Sequence, residues 1–214
     1  MIRVFVVAML CVLIGGCAAT KSVKQDYVLN ANSGKGLLAT SLTYRGSYSG
    51  YSITFNGIEN AKTQKIQIGE GLAVGLVPMP SQGDFSGYGR TGEVFALELP
   101  KGKYRVYTWH VHSGYGHVAP LIPINIEFEI VPGKVTYLGN FEFVQTGSLG
   151  LTVTAATVNY TDQAQIDIEV LLRKQPKIQR ENILMGIAKN AKYFGLGGNT
   201  QTSWDIPMLL PVGG

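Results

Sequence analysis

From Leu37 to about Tyr160 the chain keeps one rhythm. Short runs rich in β-branched and aromatic residues alternate with clusters of Gly, Pro, Asn and Ser. That pattern predicts strands joined by turns. Ser52-Ile53-Thr54-Phe55 and Ile124-Asn125-Ile126-Glu127-Phe128-Glu129-Ile130 alternate apolar and polar residues, the period of a sheet with one buried and one wet face. Strands are expected at 36–44, 50–55, 63–68, 73–78, 93–99, 103–112, 122–130, 134–142 and 149–159. Strands in that number without helical insertions fit two packed sheets. The fold class expected is mainly β: an antiparallel β-sandwich over 36–160 with a C-terminal helical segment.

Two turns are explicit. Leu99-Pro100-Lys101-Gly102-Lys103-Tyr104 and Val131-Pro132-Gly133-Lys134-Val135 each link two strand-like runs. Proline presets φ at the first central turn position, and glycine accepts the positive φ that a type II turn needs next. After Asn159 the period changes. Asp162 stands where it would favour a helix N-terminus, and Ile166, Val170 and Leu171 share one helical face. Pro176 ends that stretch. Ile183, Leu184, Ile187, Ala188 and Ala191 form a second helical stripe, so 161–195 is expected to be helical and 196–214 a tail.

The N-terminus carries an address. After Arg3 comes an apolar run that ends in Ile14-Gly15-Gly16-Cys17. A basic residue, an apolar run and small residues before a cysteine resemble a bacterial lipoprotein signal. The resemblance implies a signal peptide at 1–16, cleavage before Cys17 and a diacylglycerol on its sulfur. The apolar stretch is shorter than the ~20 residues of a spanning helix. Residues 17–35 are small and polar and read as a tether. Ala18 follows the lipidated cysteine where an aspartate would hold a Gram-negative lipoprotein at the inner membrane. An outer-membrane anchor is therefore implied if the cell is Gram-negative.

The two cysteines are Cys11 and Cys17. The folded domain then has neither a disulfide nor a thiol for catalysis or metal binding, and its stability must come from apolar burial. Net charge is +4 and drops to +3 without Arg3 (4 − 1). No dense basic stripe is present, which argues against nucleic acid as a partner. A weak attraction to anionic lipid or cell-wall polymer is compatible with this balance.

The run from Glu93 to Val106, with Ile126-Glu127-Phe128 and the segment from Val131 to Asn140, resembles uncharacterised bacterial lipoproteins. The domain of those proteins is similar to the carboxypeptidase regulatory-like, or transthyretin-like, β-sandwich. The resemblance covers about a quarter of the chain and rests on turn chemistry. It implies a non-enzymatic accessory or adhesive module and supplies no catalytic residues.

Candidate chemistry is sparse. His110, His112 and His117 lie within eight residues, and residues i and i+2 of a strand point to one face. The three could hold zinc or copper, but no carboxylate in this stretch offers the support that ligating histidines usually have. Exposed loop histidines are the simpler expectation. Gly87-Tyr88-Gly89-Arg90-Thr91-Gly92 matches a dinucleotide-binding pattern, yet a strand rather than a helix is expected to follow it. It reads instead as part of a glycine-rich loop at 81–92 with Phe85, Tyr88 and Arg90 at its tip, where a ligand or partner could bind. The carboxylates form no catalytic pair, and no serine sits in a nucleophile elbow. Tyr107 and Trp109 are expected to share one strand face, opposite Tyr104; such a strip could bind glycan or peptide, with core or edge packing the simpler expectation. The C-terminal stripe is expected to cover an open sheet, or else to dock on a partner or an anionic surface.

Function is accordingly expected to be that of a lipid-anchored envelope lipoprotein, a non-catalytic binding or structural accessory without a cofactor. It would hold the membrane through its lipid and recruit an envelope protein. The alternative is a metal-binding envelope protein that uses the three histidines.

Overall fold

A computed structural model describes residues 20–59, 61–69 and 83–205. The signal segment, Cys17, the expected strand at 73–78 and the end of the tail lie outside the described residues. The strands in chain order are β1 (Lys35–Arg45), β2 (Gly50–Gly57), β3 (Thr63–Ile68), β4 (Gly92–Pro100), β5 (Gly102–Ser113) and β6 (Gly116–Pro120). They continue with β7 (Ile126–Ile130), β8 (Val135–Leu149), β9 (Thr152–Thr161), β10 (Ile183–Met185), β11 (Lys192–Tyr193) and β12 (Thr200–Trp204). Helix α1 (Ala164–Lys174) is the one α-helix among the described residues.

The chain is a mainly β protein built as a two-sheet sandwich. The first sheet runs β11-β9-β8-β1-β4, with β10 also on β8; the second runs β12-β6-β5-β2-β3, with β7 also on β5. Most pairs are antiparallel, but β1–β8 and β10–β8 are parallel. Aromatic side chains join the two layers. Phe143 of β8 meets Tyr51 at 5.2 Å and the edge of Trp109 at 6.0 Å between ring centres. Phe55, Tyr104 and Phe128 form a second group within the second sheet. Each such buried side chain contributes about 1.5–3 kcal/mol, which a domain without disulfides needs. The indole N–H of Trp109 is satisfied by the Leu196 carbonyl at 2.9 Å.

Helix α1 lies on the outer face of the first sheet and buries Ile168, Val170 and Leu171. Asp162 serves its start: its carboxylate accepts from the Ala164 N–H at 3.0 Å and the Asn190 N–H at 2.8 Å. Tyr107 is the extra residue of a bulge in β5, because Thr54 faces Thr108 while Phe55 faces Val106. The bulge turns Tyr104 and Trp109 to the same buried side, so the expected alternation between them fails.

Three expectations need correction. The stripe 183–191 is not helical. Its first residues form β10, because the start of β8 offers backbone groups that an extended chain can fill, and the Gly186 N–H goes on to donate to the Tyr137 carbonyl. The start of the supposed tail is β12, paired with β6. The described part of the tether is packed rather than loose: Thr20 N–H donates to the Lys65 carbonyl and Val23 N–H to the Ala96 carbonyl, both at 2.8 Å. In addition, the expected strand at 122–130 starts only at Ile126, since Pro123 cannot join a ladder.

Candidate functional site

An apolar concavity lies where the two sheets part on the β9/β11 and β6/β7 side. It is a groove of about 540 Å³. One wall is the segment Ile122-Pro123-Ile124-Asn125-Ile126, and the other is made by Tyr160, Ile187, Ala188, Tyr193 and Leu196 with the glycines of the 186–198 loops. Pro123 keeps the start of the first wall out of the sheet, while Ile124 N–H is tied to the Tyr107 carbonyl. Gly197 has φ +81°, and a Cβ there would come within 2.3 Å of Pro120. Only glycine lets the two loops close on each other at that point.

Among the described residues, no charged side chain lines the groove. The Tyr160 hydroxyl is turned inward onto the Leu138 carbonyl, which leaves its ring to the groove. Around the opening, Leu121, Ile122, Tyr193 and Phe194 are more than half exposed, Phe194 at 72%. Contiguous exposed apolar side chains beside a concavity mark a binding surface more often than isolated ones do. Sequence reasoning did not find this place. Its walls come from segments some 60 residues apart, and only the tertiary fold joins them.

The loop expected to present Phe85, Tyr88 and Arg90 is docked instead. Phe85 is fully buried. The Arg90 guanidinium lies 4.2 Å over its ring and donates to the Asp167 carboxylate of α1 at 2.9 Å. The Tyr88 hydroxyl donates to Glu169 at 2.7 Å. Asp84 receives Lys174, and its carbonyl accepts from Arg173 at 3.0 Å. This loop therefore clamps α1 to the sheet, and among its described residues Gly83, Ser86, Gly87 and Gly89 are exposed.

Under that clamp sits a buried polar network. Asp167 is completely buried and accepts from the Tyr137 hydroxyl at 2.7 Å, from Ser41 and from Arg90. Asn140 bridges Ser41 and Thr43. Burial pushes the Asp167 carboxyl above its ordinary value despite Arg90 and the two hydroxyls, and it also raises Tyr137. The network is enclosed, and the Arg90 Nη2 is buried in it without a hydrogen-bond partner.

His110 and His112 of β5 and His117 of β6 share the outer face of the second sheet. His112 and His117 are cross-strand partners with stacked rings, 4.3 Å between centres. His112 Nε2 bonds the Gly114 carbonyl at 3.0 Å, and His117 Nε2 the Asp205 carboxylate at 2.7 Å. His110 is held below its ordinary value, first by desolvation and then by the charges of Lys65 and His117. Among the described residues, no three His, Cys, Asp or Glu side chains are grouped to hold a metal ion. Among them also, no helix is long and apolar enough to cross a membrane.

No protein-family model matches the chain, and no curated protein does. Among solved structures it has similarity to a leucine-rich repeat protein from Bacteroides thetaiotaomicron, with 15% identity and a TM-score of 0.27. That similarity covers 50% of this chain and 13% of the other. So slight a likeness carries no argument. The class that stands on the geometry is a mainly β sandwich with an apolar groove at one open side.

Proposed function

We propose that this protein is a lipid-anchored lipoprotein of the cell envelope that acts as a non-catalytic binding or structural accessory and takes its partner in the apolar groove. Cys17 carries the lipid, and with Ala18 behind it the anchor in a Gram-negative cell is the outer membrane. The observation that carries the binding reading is the groove itself: a concavity of about 540 Å³ lined, among the described residues, by no charged side chain and edged by the exposed Ile122 and Tyr193. A burying contact there removes apolar area from water at roughly 25 cal/mol per Å². The resemblance of the Pro-Gly turns to regulatory-like sandwich domains is in keeping with a role without catalysis.

The test is in-cell crosslinking of the full lipoprotein with a photoreactive residue at Tyr193, compared with Cys17→Ser and Ala188→Trp. Ala188 is exposed in the groove wall, so the indole fills the groove without disturbing the core. One envelope partner, lost in both variants, is expected. Capture unchanged by Ala188→Trp would move the contact elsewhere.

A second reading, a zinc or copper site, has one observation in its favour. The stacked His112 and His117 have the Asp205 carboxylate beside them, a partner that lies 88 residues from His117 in sequence. If that reading holds, replacing His110, His112 and His117 together with alanine abolishes stoichiometric metal uptake in equilibrium dialysis. Uptake that survives the triple change removes it.

A further inference from the structure

The position of Thr20 determines how an anchored domain can face a bilayer. We infer that the β3/β4 side of the sandwich lies against anionic lipid headgroups and that the groove opens away from the membrane; this rests on the proposed lipidation of Cys17. From Thr20 onward the chain is bound to the domain. Thr20 N–H donates to the Lys65 carbonyl of β3, an edge strand among the described residues. Val23 N–H donates to the Ala96 carbonyl of β4, likewise an edge strand among the described residues, and Ala96 N–H returns a bond to the Ser22 hydroxyl at 3.2 Å. Gln175, just past α1, donates to the Val23 carbonyl at 3.1 Å. The strap thus crosses the seam between the two sheets and is held on both of them.

Only Ala18 and Ala19 separate Thr20 from Cys17. Three Cα steps reach at most about 11 Å. Each sheet has a five-strand path, with β3 and β4 at one end and β12 and β11 at the other. Four spacings of about 4.8 Å make that width roughly 19 Å. The leash is shorter than the sandwich is wide, so the domain cannot turn its far side to the lipid. The near side is also suited to headgroups in charge. Lys21, Lys24 and Lys62 are exposed there with Lys65 beside them, outnumbering the exposed Asp26 of the strap and Glu59 before β3. Anionic lipid draws such lysines within a Debye length of the surface. The groove lies on the opposite side, between β9/β11 and β6/β7.

The chain from 18 to 214 has no cysteine, so single labels are clean. Gln25→Cys and Thr63→Cys mark the near side, and Phe194→Cys and Asn199→Cys mark the far side; all four positions are exposed. Each lipidated variant is labelled with a fluorophore and reconstituted in vesicles of phosphatidylethanolamine with a minority of phosphatidylglycerol. A fraction of the lipids carries a nitroxide on the headgroup. Quenching several-fold stronger at positions 25 and 63 than at 194 and 199 is expected. Equal quenching at all four positions, or stronger quenching on the far side, overturns the orientation. Mass measurement of the N-terminal peptide tests lipidation separately. A peptide without diacylglycerol sinks the lipoprotein reading, whereas a lipidated peptide with uniform quenching sinks only the orientation.

Discussion

At Asp167 two opposing effects meet in one side chain. Full burial penalises the carboxylate, while Arg90, Ser41 and Tyr137 supply donors that favour it. Burial wins, so the carboxyl titrates above its ordinary value. The sign follows from proton counting. Between the ordinary value of 3.8 and the raised folded value, the native state binds more protons than the unfolded chain. This group therefore favours folding at low pH, and that contribution is lost as pH rises through the folded value. Arg90→Ala leaves the charge without its cation, which costs about 3 kcal/mol or more at neutral pH. Without Arg90 the folded value rises further, so the deficit should shrink in mildly acidic buffer, where the carboxyl is protonated. Urea unfolding of the chain without its first 17 residues, at neutral and at acidic pH, measures both. A deficit that does not change with pH would mean that Asp167 is already neutral. Sequence marked Arg90 and Phe85 as notable but misplaced them at a loop tip. Asp167, the partner that gives Arg90 its role, stands 77 residues away.

Elements were legible in proportion to their length and their alternation. Strands β1 to β5 and β7 to β9 carry enough β-branched and aromatic residues to announce themselves, apart from shifted ends. Strands β10 to β12 hold two to five residues each, too few for any period to show. They exist because long strands left edges to be filled. The strap was misread for a related reason. Its side chains are polar, but its hold on the sheets runs through backbone groups, which composition does not report. Those bonds cover the edges of β3 and β4, and the Tyr27 hydroxyl adds a bond to Glu98 at 2.9 Å; desolvation first, and then this bond, raises the tyrosine to about 12. Deleting residues 20–26 should leave the sandwich folded, since its aromatic core is untouched, and should uncover two unpaired edges. Strand addition between copies is the expected outcome. Light scattering across a concentration series would show a dimer or larger species that the intact domain lacks. A strictly monomeric deletion variant would mean that the edges are protected by their own twist and charge.

At the scale of the whole molecule the two open sides of the sandwich are closed in different ways. The β3/β4 side is sealed by the strap, whereas the opposite side is only half closed by β12 and the 186–198 loops, which leave the groove. On the proposed lipidation of Cys17, anchor and groove stand at opposite ends of a body roughly 19 Å wide. The groove then serves partners that come from the aqueous side, and its use depends on which end is tethered. Reversing the tether tests that dependence. Asp205 follows β12 on the far side, is largely exposed, and is absent from the residues that line the groove. In a Cys17→Ser, Asp205→Cys protein coupled to maleimide lipid in vesicles, a fluorophore on an unnatural side chain at 194 should become the strongly quenched position, and one at 25 the weakly quenched one. The groove would then face the bilayer, and capture of the envelope partner by a photoreactive group at Tyr193 should fall several-fold although the fold is intact by circular dichroism. Undiminished capture with the quenching pattern reversed would show that the partner does not enter through the groove. An unreversed pattern would show that surface charge, not the length of the leash, orients the domain.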